Sequence, residues 1–145
     1  MDHEATKYDL LKSEFLLAQQ QMDKYDQLCT TIKTWAITLW AASSGWAIQT
    51  KEYKIFLLTI FATAFFWVLD GYHKTVRQNY KKRRNEVAEI LGKLFETGAI
   101  PADAVSPKLP AHNWKHLLEY LFSVHIAIPY MVMIFISMAL YFFMG

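Results

Sequence analysis

Apolar and polar positions along this chain follow two different rhythms. Residues 4–33 contain neither Pro nor Gly. Their apolar positions are Tyr8, Leu11, Phe15, Ala18, Met22, Tyr25, Cys29 and Ile32, at alternating spacings of 3 and 4. That rhythm predicts a long amphipathic helix with a heptad seam. Most of the rest of its surface is polar, as at Lys12, Glu14, Gln19, Asp23 and Lys24. Such a seam packs on another helix of its own chain, on a second copy, or on both. Phe15, Met22, Tyr25 and Cys29 are the candidate oligomer seam, in a bundle rather than a tight zipper.

The second rhythm is an unbroken apolar run, and it occurs three times. Residues 34–48 and 55–69 carry no charge, and from Ser123 to Gly145 the ionisable candidates are His125 and two tyrosines. A span needs about 20 apolar residues to cross a hydrocarbon core of about 30 Å. The third run meets this. The first two reach it only by extending through Thr30–Ile32 and Gly71–Tyr72, with Trp35, Trp46, Tyr53 and Tyr72 as interfacial aromatics. Buried helices of a soluble protein are the rival reading. A chain of 145 residues has too little polar surface to cover three such runs.

The expected organisation follows from these blocks. Residues 1–33 form a cytosolic amphipathic helix and 34–72 a transmembrane hairpin. Residues 73–96 form a basic cytosolic helix, 97–113 a Pro-rich loop and 114–145 a C-terminal transmembrane helix running unbroken from Trp114. Pro129 should kink that helix, and Asn113 is placed to cap it. The expected class is an all-α membrane protein that forms a symmetric homo-oligomer.

Composition supports a membrane protein: 54% hydrophobic, 16% aromatic and 19% charged. The charged fifth is unevenly placed. Nine Lys and Arg lie between residues 73 and 116, and the 51–54 turn carries two. The positive-inside rule then puts the N-terminus in the cytoplasm and the C-terminus outside. The first 30 residues have no signal-peptide layout. One cysteine excludes an internal disulfide.

Between His73 and Phe95, Lys74, Arg77, Lys81 and Arg84 share one narrow face. Within the 73–96 helix none has an acidic partner at helical spacing, whereas Lys82 can reach Glu86 and Lys93 can reach Glu89. Three readings of the stripe stay open: a topology signal drawn to anionic headgroups, a nucleotide or nucleic-acid site, and a cation-excluding vestibule. In the first span Ala41 and Gly45 form a small-xxx-small pair beside Ser44, which favours close helix approach. Asp70 sits at the cytosolic end of the second span, a position where an acid is functional or merely reaches water. His112 and His116 are four apart, a weak metal pattern that reads as interfacial. No phosphate loop, nucleophile elbow or metalloprotease motif occurs, so neither an enzyme nor a cofactor is expected. The spans themselves show no convergent polar constellation, which disfavours a transporter.

"KTWAIT" (Lys33–Thr38) and "FFWVLDGY" (Phe65–Tyr72), with the long preceding helix, resemble the SLATT group of small bacterial membrane proteins. The resemblance covers roughly residues 8–95, and the third span departs from the group's two-span plan. It implies an oligomeric pore, taken as a tetramer, in the bacterial inner membrane and serving anti-phage defence. It also implies control by an anionic nucleotide, or by a single-stranded DNA oligomer that a partner nucleotidyltransferase makes, as in Hailong-type systems. The expected function is therefore a ligand-gated pore effector in the lipid bilayer. The alternative is a non-conducting anchor or scaffold subunit.

Overall fold

The structure is a computed structural model that describes residues 3–98 and 114–144. Most of the Pro-rich loop, with His112 and the Asn113 cap, lies outside the described residues, as does the His116 side chain. Four helices follow in order: α1 (His3–Thr50), α2 (Lys54–Thr97), α3 (Trp114–Leu121) and α4 (Val124–Met144). No strand occurs among the described residues.

The amphipathic helix and the first apolar run are one continuous helix, α1. The second apolar run and the basic helix are likewise continuous in α2. Nothing at 33–34 or 72–73 stops a helix, because neither Pro nor a glycine with positive φ stands there. The α1 stop is local. Lys51 takes a left-handed conformation (φ 58°), and Glu52 N–H donates to the Ala47 carbonyl at 3.2 Å. This is the six-to-one bond of a Schellman end, with Lys where Gly is usual. Gly98 ends α2 in the same left-handed region, φ 71°.

The C-terminal helix is not unbroken as expected. It stops at Leu121 and restarts at Val124. Ser123 N–H turns back to the Tyr120 carbonyl, and the Ser123 carbonyl accepts from Ile126 and Ala127 as α4 begins. The break leaves the Leu121 carbonyl without its intrahelical donor, and the Trp67 indole N–H supplies one at 2.9 Å. Pro129 does lie inside α4.

Two helices, α2 and α4, are long and apolar enough to cross a membrane. The 21 residues of α4 rise about 31 Å at about 1.5 Å each. The α1 run is not among them. Its Thr34, Thr38, Ser43, Ser44 and tryptophans dilute the aliphatic content.

The chain divides into two compact units. One comprises Met1–Asp26 and Val76–His112, the other Gln27–Thr75 and Asn113–Gly145. The first buries Leu11, Ala18, Met22 and Val87. The second has a core of Ala36, Ile126, Tyr130 and Met133, flanked by Trp40, Phe66, Trp67 and Tyr120. It exposes many large apolar side chains, among them Trp35, Phe61, Phe65, Phe135 and Phe143.

Candidate functional site

In the first unit the expected seam is used within the chain. Leu11, Ala18 and Met22 are buried, and half-buried Tyr25 stacks on Tyr80 of α2 with ring centroids 5.8 Å apart. Phe15 is half-buried. In the second unit Cys29 is also buried. Part of the seam therefore packs within the chain, against α2, which is one of the partners its pattern left open. The leucines left outside are Leu10, Leu16 and Leu17, each more than half exposed. They line a groove of about 790 Å³ with Tyr80 and Arg83 at its other wall.

The basic stripe is not free of acids either. Arg77 pairs with Asp26 of α1 at 2.6 Å, and Arg84 donates to Gln19 at 3.0 Å and to Asn85 at 2.9 Å. Helical spacing within α2 could not show this, since these partners come from α1 except for Asn85. Lys74 is half-buried and Lys81 is exposed. The Glu89–Lys93 pair forms as expected at 2.7 Å. It holds the Glu89 carboxyl below its usual value and the Lys93 ammonium above its own. Glu86 goes to Arg83 at 3.3 Å rather than to the expected Lys82.

Arg83, which the stripe did not include, is the most buried cation among the described residues of the unit. Its guanidinium grips Glu14 with two bonds, Nε–Oε1 at 2.6 Å and Nη2–Oε2 at 3.1 Å. That fork is the strong form of an ion pair. The bond to Glu14 raises the Arg83 pKa.

The second unit overturns the expectation that the spans lack a convergent polar group. Asp70 is fully buried, so it does not simply reach water. Tyr130 of α4 donates its hydroxyl to Asp70 Oδ2 at 3.3 Å, and Lys33 Nζ of α1 lies 3.6 Å from the same oxygen. Oδ1 has no hydrogen-bond partner. The Cys29 thiol, one turn before Lys33, faces the same carboxylate as a third, weak donor. Three helices thus meet at one carboxylate.

Polar pairs tie the same helices elsewhere in this unit. The Trp40 indole donates to Ser137 Oγ at 2.9 Å and to the Met133 carbonyl at 3.2 Å. Thr59 donates to Ser43 at 2.9 Å. Ser44 is buried with its hydroxyl unpaired. Ala41 and Gly45 point outward, and a Cβ added at Gly45 would meet nothing within 4 Å. Inside the chain the close approach is at Gly71, where a Cβ would lie 2.6 Å from Leu121 Cδ2.

Sequence alone offers a weak signal for this site: one acid between two apolar runs. Nothing in the spacing marks Lys33 or Tyr130 as its partners. The described residues contain no cluster of three or more His, Cys, Asp or Glu side chains that could hold a metal. No family model, no curated protein and no solved structure matches the chain.

Proposed function

We propose that the chain is an oligomeric membrane effector that opens an ion pathway under control of an anionic ligand. The observation that carries this reading is the buried Asp70, held by Lys33 and Tyr130 among apolar helices. Ionisable groups at membrane depth are costly, and they mark ion or proton pathways far more often than they serve as packing. The exposed apolar side chains of α1, α2 and α4 supply the lipid-facing surface. Ala41 and Gly45, outward and unobstructed, offer a face for close approach of a second copy.

The ligand surface is narrower than the four-residue stripe. Lys81 is its exposed member, with Arg84 beside it and Lys74 and Arg77 drawn inward. A nucleotide or single-stranded DNA oligomer bridging several copies would meet that pair repeatedly. The bacterial inner membrane and a defence role belong to this proposal through the SLATT resemblance.

Potassium release from liposomes tests the pore. Wild-type protein should empty them, and Gly45→Leu should insert without emptying them. Retained potassium with the wild type would leave the anchor reading. That second reading has its own support: Arg77 and Arg84 bond within the chain, which removes cations from any ligand surface.

A further inference from the structure

We propose that Asp70, Lys33 and Tyr130 form a releasable latch that joins α1 to α2 and α4, and that opening it lets water into the joint. The proposal deepens the pore reading and rests on it only for placing the second unit in the bilayer.

The geometry is that of a latch rather than a rivet. A buried carboxylate needs close, complete partners to offset its lost hydration, and an apolar replacement often serves stability as well. Here neither contact is close. Tyr130 stands at 3.3 Å and Lys33 at 3.6 Å, the Cys29 thiol adds only a weak S–H donor, and Oδ1 has no hydrogen-bond partner. The closed joint therefore leaves part of the Asp70 demand unmet, and water can meet it. Lys33 has a route out, because its side chain is 34% exposed whereas that of Asp70 is 1% exposed. The ammonium can swing to solvent while the carboxylate cannot. Once Lys33 leaves, the buried charge draws water in, since an uncompensated ion in an apolar surround is the costliest state available. The ionisable groups around Asp70 come from every element at the joint: Cys29 and Lys33 from α1, Lys74 from α2 and Tyr130 from α4. Lys74 is one turn along α2 from Asp70 and can follow Lys33 as the competing cation.

Such a latch has a specific mutational order. Lys33→Met strands the charge and should open the joint. Asp70→Asn removes the charge, so the joint should stay closed whether or not Lys33 is present.

Hydrogen–deuterium exchange of the full chain in lipid nanodiscs reads this directly, at the α1 amides of residues 27–36. Lys33→Met should exchange at least tenfold faster than wild type. Asp70→Asn and the Asp70→Asn/Lys33→Met double variant should exchange no faster than wild type. Tyr130→Phe, a milder change that serves if Lys33→Met does not fold, should exchange about threefold faster. A cluster that merely packs would show no rescue by Asp70→Asn. A double variant as open as Lys33→Met, or wild-type exchange in both Lys33→Met and Tyr130→Phe, overturns the latch. A protein with the predicted exchange pattern but no conductance keeps the latch and loses the pore.

Discussion

Among the described residues each unit holds one well-buried charged group, and the two groups are held differently. In the first, Arg83 meets Glu14 through two short bonds, and Glu14 keeps a quarter of its side chain in water. In the second, Asp70 is wholly enclosed and its partners stand off at 3.3 and 3.6 Å. A tight fork with one wet end fastens two helices. A loose contact around an enclosed charge leaves two arrangements close in free energy. Fastening thus belongs to the charged helix pair, and switching to the apolar unit.

The largest expected effect breaks the fastener. Arg83→Met should destabilise the α1–α2 pair by about 3 kcal/mol, because Glu14 loses its partner while still partly buried. A thermal melt followed by helical dichroism checks it. A loss under about 1 kcal/mol would make the Arg83 pair an ordinary surface bridge.

Gly71→Ala comes next. Its Cβ would press on Leu121 Cδ2 and Cγ, at 2.6 and 3.0 Å, and Leu121 must turn away. The expected cost is about 1–2 kcal/mol. Gly45→Ala is the matched control. Within a single chain it meets nothing, so the fold of the chain should hold or gain stability by up to about 1 kcal/mol, since Ala favours helix over Gly. Equal effects at the two glycines would erase the distinction between an inward and an outward small residue.

The smallest effect concerns the exposed cations. If a single-stranded oligonucleotide binds at Lys81 and Arg84, replacing each with Glu should make the log–log salt slope shallower by about 0.7 per lost phosphate contact. Lys93, which is held by Glu89, should matter less. An unchanged slope would leave the stripe as a topology signal.

The helices themselves were legible. The 3–4 rhythm of residues 8–32 and the uncharged runs gave α1, α2 and α4, because periodicity and hydropathy are local properties. Glu89–Lys93 was legible for the same reason. What escaped was every partner on another helix. Glu14 stands 69 residues from Arg83, and Tyr130 stands 60 from Asp70. The basic stripe looked unpaired because its acid, Asp26, lies on α1. The seam left its partner open, own chain or second copy, because a heptad pattern carries no record of which helix fills it. The break at Phe122–Ser123 was hidden too, since the Trp67 indole that serves the freed carbonyl comes from α2.

Planar-bilayer recording of purified protein tests the pore most directly. Discrete conductance steps are expected from the wild type, more frequent with Lys33→Met and restored to the wild-type level in the Asp70→Asn/Lys33→Met double variant. Silent bilayers with both the wild type and Lys33→Met, at verified incorporation, would contradict an ion pathway and leave a membrane anchor.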